Sequence, residues 1–200
     1  MHLGFVGETD GSLEKKLEAF AAGQILHTHL AHAASEVVGL DRDERAVQTI
    51  QSKFGERGLM VGDVEYLDQL PLHGTFDVIV FGDLIEHLSS PGRALEGIRR
   101  FMAPHSELII STPNAFSLLA NIRFTVGRFR EGNEHVAAYS QFTLPALLER
   151  HQFKMTELYT CFNRPPRSWN KRFAFALGIP FFKVMPDRGG TLLAVARSEV

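Results

Sequence analysis

The sequence has 200 residues and a mass of 22.4 kDa, which is the size of one ordinary domain. Its 44% hydrophobic and 22% charged residues, together with 17 glycines, exclude collagen-like, low-complexity and disordered chains. A net charge of -2 and an isoelectric point near 6.5 lack the basic excess typical of nucleic-acid binding, so we expect no nucleic-acid partner.

Short apolar runs alternate with amphipathic stretches along the chain. Runs rich in Val, Ile, Leu or Phe and bounded by Gly, Pro or Asp predict strands at residues 1–6, 36–40, 58–61, 76–81, 107–111, 153–159 and 191–196. Helical spacing predicts helices at residues 13–34, with a weak point at Gly23, and at residues 43–54, 93–102 and 142–151. This alternation predicts an α/β fold with a doubly wound, mostly parallel seven-stranded sheet. No clear amphipathic helix precedes the final run, so we expect the last strand to be antiparallel.

Three successive predicted strands each end in a carboxylate, at Asp41, Asp63 and Asp83. Ligands of open parallel sheets bind beyond the carboxyl ends of the strands, so these residues predict a pocket there. Asp41 can accept hydrogen bonds from both hydroxyls of a ribose, and Asp63 can accept them from the amino group of an adenine. The alternative for Asp41 is that it caps the helix that follows.

The first predicted strand leads into a turn that contains Gly4, Gly7 and Gly11. Glycines there allow the backbone to approach a ligand closely. The spacing does not match G-x-G-x-x-G, and a tight turn between a strand and a helix is an equally good interpretation.

Three segments carry a resemblance to a known family. Residues 76–88 read FDVIVFGDLIEHL, residues 108–114 read LIISTPN, and residues 133–136 read NEHV, with Tyr139 shortly after. The first two segments resemble class I S-adenosylmethionine-dependent methyltransferases. The third is similar to a branch of small bacterial-type methyltransferases associated with O-methylation of glycans or other metabolites.

The resemblance implies a Rossmann-like methyltransferase fold with S-adenosylmethionine as the cofactor. It implies cofactor-binding residues in the first turn and at the ends of the next three strands: Gly4, Gly7, Asp41, Arg42, Asp63, Val64, Gly82 and Asp83. The first turn departs from the family pattern Asp-x-Gly-x-Gly-x-Gly, because His2 replaces the Asp and Val6 replaces the second Gly. This departure bears on cofactor affinity more than on the fold.

Two histidines are candidate catalytic bases. A hydroxyl acceptor must lose its proton as the methyl group arrives, and an imidazole takes up a proton near neutral pH. We therefore predict this role for His87 and, as a second candidate, His135. The alternative for each is a hydrogen-bonded structural histidine.

A metal site is a further interpretation of the same segment. The order Asp83, Glu86, His87 resembles the acidic-x-x-Glu-His pattern of ubiquinone-type O-methyltransferases, which implies a divalent cation. The alternative is that Glu86 and His87 begin a helix, and we assign no metal from the sequence.

Charge is unevenly distributed along the chain. Residues 1–120 contain 9 Lys and Arg against 17 Asp and Glu, whereas residues 121–172 contain 9 against 4. An anionic methyl acceptor is one interpretation of this basic segment, whose cations include Arg123, Arg128, Arg130, Arg164, Arg167, Lys171 and Arg172. Two ordinary solvated surfaces are the other.

We expect one domain over residues 1–200, with residues 115–190 holding insertions on the acceptor side and a lid. The aromatic residues Trp169, Phe173, Phe175, Phe181 and Phe182 predict a substrate lid, ordinary core packing or a homodimer surface. The single cysteine, Cys161, cannot form an internal disulfide, and no apolar run predicts export or a membrane span, so we expect a cytoplasmic protein.

The leading hypothesis is methyl transfer from S-adenosylmethionine to an oxygen of a small molecule or glycan. The alternative is a non-catalytic binding module in which the altered first turn has weakened cofactor binding.

Overall fold

The computed structural model describes residues 2–4, 13–128, 134–161 and 185–199. In this part of the chain the strands are β1 (His2–Gly4), β2 (Gly39–Asp41), β3 (Leu59–Val61), β4 (Phe76–Gly82), β5 (Met102–Pro113), β6 (Phe153–Cys161) and β7 (Thr191–Ser198). The α-helices are α1 (Leu13–Ala21), α2 (Leu26–Ala31), α3 (Glu44–Phe54), α4 (Pro91–Arg99), α5 (Leu118–Thr125) and α6 (Thr143–Arg150). Short 3₁₀ turns lie at Val64–Gln69, Ile85–His87 and Pro186–Arg188.

The described strands form one mixed sheet in the order β3-β2-β1-β4-β5-β7-β6. Neighbouring strands from β3 to β5 are parallel, while β7 is antiparallel to both β5 and β6. The chain is therefore an α/β protein whose last strand is antiparallel. Because β2, β3 and β4 are parallel, Asp41, Asp63 and Asp83 all lie at the same edge of the sheet.

Several predicted boundaries were wrong for physical reasons. The predicted helix 13–34 is two helices, because Gly23 has φ +64° and ends the first one. The helix predicted to end at Met102 ends at Arg99, and Met102 already belongs to β5. Helix α5 was not predicted at all, because it buries none of its residues and so gives a weak periodic signal.

The core lies on both faces of the sheet. A large cluster packs around β4, β5, α4 and α6, with Ile79, Phe81 and Leu108 fully buried. A smaller cluster joins α1 and α3, with Val47 and Ile50 at its centre. Within the described residues, no helix is long and apolar enough to cross a membrane.

An ion pair joins α1 to the start of α3. Asp43 is the N-cap of α3, and its Oδ1 atom accepts a hydrogen bond of 3.0 Å from the backbone N–H of Ala46. Its Oδ2 atom lies 2.5 Å from Nζ of the buried Lys16. Burial raises the pKa of Asp43, but the hydrogen bonds from Lys16 and Ala46 and the charges of Lys16 and Arg45 outweigh burial and lower it below its ordinary value. This carboxylate thus both caps α3 and neutralises a buried ammonium.

Replacing Asp43 should destabilise the fold by more than a lost cap. We expect Asp43→Ala to lower the free energy of unfolding by about 2–4 kcal/mol, because a cap contributes about 1 kcal/mol and an unpaired buried charge costs more. In a Lys16→Met background the same change should cost about 1 kcal/mol only, as urea unfolding would measure. The pKa of Asp43 is lower in the folded protein than in the unfolded chain. Its stabilising effect is therefore complete above the pKa of the unfolded chain and disappears as the pH falls through the pKa of the folded protein. Equal costs in both backgrounds would contradict the ion pair.

Candidate functional site

An open pocket lies at the carboxyl ends of β2, β3 and β4. Among the described residues it is lined by Leu40, Asp41, Arg42, Gly62, Asp63, Val64, Glu65, Leu84, His87 and Leu88. Five residues predicted from the sequence are in this wall: Asp41, Arg42, Asp63, Val64 and His87. The wall combines apolar side chains with three carboxylates, which suits a ligand that has both a flat apolar ring and hydroxyl or amino groups.

The two carboxylates at the ends of β2 and β3 are held by local backbone hydrogen bonds. Asp41 is buried, and its Oδ1 atom accepts a hydrogen bond of 2.7 Å from the N–H of Asp43. Asp63 accepts one of 2.9 Å from the N–H of Glu65. The N-cap of α3 is Asp43, so the prediction that Asp41 might serve only to cap this helix was wrong. Both carboxylates are fixed in position at the pocket.

The remaining predicted cofactor residues lie beside the pocket or outside the described residues. Gly4 ends β1, where it pairs with Gly82 of β4. A Cβ atom on Gly82 would lie 2.6 Å from Cδ2 of Leu26, so this glycine allows α2 to pack against the strand end. Asp83 has φ +45°, and its carboxylate accepts a hydrogen bond of 3.0 Å from Ser111. Gly7 lies outside the described residues, and its role stays a prediction.

Glu86, His87 and His135 form a cluster next to the pocket. One ligand atom from each lies within 4.8 Å of the other two. The His87 and His135 rings meet edge to face, with centroids 4.8 Å apart and planes at 82°. The Glu86 side chain is buried, and its Oε2 atom accepts a hydrogen bond of 2.9 Å from Thr112 Oγ1. The two predicted histidines are thus in contact, which no pattern in the sequence had indicated.

Backbone hydrogen bonds place His135 beside the exit of β4. The carbonyl oxygen of Glu86 accepts hydrogen bonds from the N–H groups of Val136 and Ala137, at 2.9 and 3.2 Å. The same segment continues to Tyr139, which forms a parallel bridge with Asn114 at the end of β5. The segment that contains His135 is therefore fixed to both central strands.

Hydrogen bonding sets the tautomer of His87. Its Nδ1 atom lies 3.1 Å from the carbonyl oxygen of Glu134. A carbonyl can only accept, so the proton is on Nδ1 and Nε2 carries the lone pair in the neutral ring. The Nε2 atom lies 4.0 Å from Oε1 of Glu86.

Burial shifts the pKa values of Glu86 and His87 in the directions that favour their uncharged forms. Burial raises the pKa of Glu86 above its ordinary value, and the charge of Asp83 adds to this against the hydrogen bond from Thr112. Burial also lowers the pKa of His87, as do His135 and Arg42, against the hydrogen bond to Glu134. The lowered pKa favours the uncharged form of His87, in which Nε2 can accept a proton or a metal ion.

The metal-type cluster differs from the set that the sequence suggested. The structure groups His135, rather than Asp83, with Glu86 and His87. The charge of Asp83 helps to raise the pKa of Glu86, but the Asp83 carboxylate accepts a hydrogen bond from Ser111 and is not part of the cluster. Thr112, whose hydroxyl donates a hydrogen bond to Glu86, was not predicted to be functional. Its position near the carboxyl end of β5 could have indicated a role at the site.

The basic segment is only partly described. Arg123 and Arg128 are exposed on and just after α5. The other predicted cations and the aromatic residues lie outside the described residues: Arg130, Arg164, Arg167, Lys171, Arg172, Trp169, Phe173, Phe175, Phe181 and Phe182. The expected lid thus stays a prediction.

Comparison with known proteins identifies relatives of this chain. The family model of a methyltransferase domain matches residues 17–158. A probable S-adenosylmethionine-dependent methyltransferase of Mycolicibacterium smegmatis is 29% identical over 136 residues, which cover 67% of this chain and 49% of the relative. A ubiquinone biosynthesis O-methyltransferase of Caulobacter sp. is 28% identical over 101 residues, 49% of this chain and 40% of the relative. The chain spans only about half the length of these curated relatives or less.

Solved structures share the fold. A methyltransferase of Methanosarcina mazei superposes with a TM-score of 0.63 at 11% identity, over 100% of this chain and 92% of that one. The magnesium protoporphyrin IX methyltransferase of Synechocystis was solved with bound S-adenosylhomocysteine. It superposes with a TM-score of 0.58 at 14% identity, over 99% of this chain and 73% of that one.

The buried Glu86 should reduce stability as the pH rises. Its pKa is raised in the folded state, so the folded protein binds the proton more tightly than the unfolded chain does, and ionisation at higher pH destabilises the fold. We expect Glu86→Gln to match the wild type near about pH 4 and to be more stable near about pH 8, as urea unfolding in the presence of EDTA would measure. A stability difference that does not change with pH would contradict this assignment.

Proposed function

This chain belongs to the methyltransferase domain family, and from that premise we propose that it transfers a methyl group from S-adenosylmethionine to an oxygen atom of a small molecule or glycan. The observation that carries the proposal is the placement of His87 in the wall of the pocket that Asp41 and Asp63 line. The pocket and an imidazole whose pKa is lowered by burial thus lie at one edge of the sheet, which supports a cofactor and an acceptor base side by side. The ubiquinone biosynthesis relatives favour oxygen as the methylated atom.

The pocket fits the cofactor in the chemistry of its hydrogen-bond acceptors and apolar side chains. S-adenosylmethionine supplies, when bound, an electrophilic methyl group on a sulfonium. Asp41 is placed to accept hydrogen bonds from ribose hydroxyls, and Asp63 from an adenine amino group. Leu40, Val64 and Leu88 supply apolar surface for a flat ring.

His87 is the group we assign to the acceptor proton. Its Nδ1 proton is bound to the carbonyl oxygen of Glu134, which leaves Nε2 as the atom that takes the proton from a hydroxyl. The buried carboxylate of Glu86 lies 4.0 Å from that atom and would stabilise the imidazolium that forms. His135 contacts the His87 ring and is the second candidate for the same role.

A divalent cation is a second way in which this cluster could assist the reaction. The carboxylate of Glu86 and the imidazoles of His87 and His135 offer three ligand atoms, and the hydrogen bonds to Glu134 and from Thr112 orient two of them. An ion there would polarise the acceptor oxygen, so His87 would act as a ligand and no longer as a base.

Asp41 should be required for cofactor binding. We expect Asp41→Asn to weaken S-adenosylmethionine binding by about 1.5–3 kcal/mol, the range for a hydrogen bond to a charged group, or roughly 10- to 150-fold in Kd. Asparagine keeps an oxygen for the N–H of Asp43, so the fold should be retained. Calorimetry would measure the change, with the exposed Asp68→Asn as the control. A wild-type protein that binds neither S-adenosylmethionine nor its demethylated product at millimolar concentration would instead be a non-catalytic binding module.

Substitution of His87 should reduce turnover without affecting the cofactor. We expect His87→Ala to lower kcat by roughly 10²- to 10⁴-fold, the contribution of a positioned base, with little change in the Kd for S-adenosylmethionine. Turnover would be measured with acceptors found by screening hydroxylated small molecules and glycans.

A chelator distinguishes the two roles of His87. If His87 is a base, EDTA leaves the wild-type rate unchanged. If it is a ligand, EDTA abolishes turnover, and Mn²⁺ or Zn²⁺, which two imidazoles and a carboxylate suit better than Mg²⁺, restores it. Near-normal turnover of His87→Ala in a chelator-insensitive enzyme would exclude both roles and favour His135.

A further inference from the structure

The pocket has two walls that come from different parts of the chain. One wall follows β2 and β3 and contains Asp41 and Asp63, whereas the other is the turn after β4 that contains His87. Glu65 lines the pocket and forms a hydrogen bond toward each wall. Its backbone N–H donates to Oδ1 of Asp63, and its Oε1 atom accepts from the backbone N–H of Ser90, which comes just after the turn. Glu65 thus connects the two walls.

The bond to Ser90 supplies a contact that the start of α4 lacks. Ser90 is the N-cap of α4, but its own side chain forms no capping hydrogen bond. A glutamate bound to the N–H of an N-cap residue is the bond that a capping box makes from within a helix, and here the glutamate comes from a different segment. A negative charge also suits the N-terminus of a helix. The start of α4, and the turn directly before it, are therefore held by Glu65.

Other contacts join the same two segments outside the pocket. The Arg93 guanidinium of α4 lies over the Tyr66 ring, 4.2 Å from its centroid, and its Nη2 atom is 3.8 Å from Oδ1 of Asp68. Both partners belong to the 3₁₀ turn that contains Glu65. The side chains of Arg93 and Asp68 are half exposed, so this ion pair contributes little to stability. Of these contacts, that of Glu65 is the one made by a residue of the pocket wall.

Apolar packing beneath these contacts does not require the Glu65 side chain. Leu67 is buried, and a Cβ atom on Gly97 of α4 would lie 3.3 Å from its Cδ1 atom, so the 3₁₀ turn and α4 are closely packed. Val64 is also part of the main core. The fold should therefore be retained when the Glu65 carboxylate is removed, and an effect on the pocket can be measured separately from an effect on stability.

We propose that Glu65 is a positioning residue for methyl transfer, an inference that rests on the proposed function. It holds Asp63, which we assign to the adenine, and through Ser90 it holds the turn that ends with His87, which we assign to the acceptor proton. The separation between the cofactor and the base then depends on this side chain, and such geometry has a large effect on rate. What the role requires is an oxygen that reaches Ser90, and the negative charge is secondary.

Three substitutions of Glu65 separate reach from charge. Alanine removes the acceptor for the Ser90 N–H, aspartate keeps the charge but is one methylene shorter, and glutamine keeps an oxygen at the same length. We expect Glu65→Ala and Glu65→Asp to weaken S-adenosylmethionine binding about 5-fold, the effect of one net hydrogen bond, and to lower kcat about 10-fold through misplacement of His87. Glu65→Gln should restore both. Calorimetry measures Kd, and turnover uses the acceptors found by screening.

The amide proton of Ser90 provides a readout that needs no ligand. Its exchange with solvent, followed by NMR, should be about 10-fold faster in Glu65→Ala and Glu65→Asp than in the wild type and Glu65→Gln, because the hydrogen bond is lost. A wild-type protein that does not bind S-adenosylmethionine would overturn the proposed function, and the exchange of Ser90 would still show whether Glu65 connects the two walls.

The matched control is Asp68→Ala. It removes a carboxylate from the same 3₁₀ turn and breaks the contact with Arg93, but it leaves the pocket wall intact. Its Kd and kcat should stay within about 2-fold of the wild type, as for the loss of an exposed ion pair. All variants should keep the thermal unfolding temperature of the wild type.

Three results would overturn the positioning role. One is a normal Glu65→Asp with an impaired Glu65→Gln, since the charge would then act on the ligand directly. Another is an unchanged Kd and kcat in Glu65→Ala although Ser90 exchanges faster, which would make the hydrogen bond purely structural. The third is an unchanged exchange rate of Ser90 in Glu65→Ala, which would show that this bond does not hold the turn.

Discussion

The two hydrogen bonds that the carbonyl oxygen of Glu86 accepts from Val136 and Ala137 hold the candidate site together. They connect the 3₁₀ turn after β4 with a segment about fifty residues later in the chain. This connection brings His135 to His87 and places the carbonyl oxygen of Glu134 where it fixes the tautomer of His87. Without it, the end of β4 would carry one histidine of undetermined tautomer next to a buried acid.

Glu86 is buried, so its ionised carboxylate is stable only with a compensating positive charge nearby. Its hydrogen bond from Thr112 satisfies one oxygen but does not offset the loss of hydration, as the raised pKa indicates. A proton on Glu86, an imidazolium at His87 or a divalent cation would each compensate the charge. The same constraint therefore favours both catalytic interpretations of His87, and a neutral resting imidazole is what each of them requires.

The sequence allowed the α/β class, most strand positions and the acids at the strand ends to be predicted, because these follow from local periodicity and from the common direction of parallel strands. Five predicted site residues line the pocket for that reason. The contact of His87 with His135 was not predictable, since it depends on hydrogen bonds between segments distant in sequence. Local rules also failed at Asp41 and Asp43: two acids precede α3, and only the structure shows that the second one is the cap.

The length of β5 links the site to the surface of α5. At its pairing with β4, Ser111 lies opposite Gly82, and the strand continues to Pro113. Thr112 in that extension binds Glu86, and the side chain of Asn114 donates to the carbonyl oxygens of Asp187 and Gly189, which fixes the chain before Phe116. Three residues lie between Thr112 and Phe116, so their Cα atoms are at most about 14 Å apart. The exit of β5 is thus held twice, by Thr112 on Glu86 and by Asn114 on the segment before β7, so the position of Glu86 depends on the end of the sheet that is last in the chain.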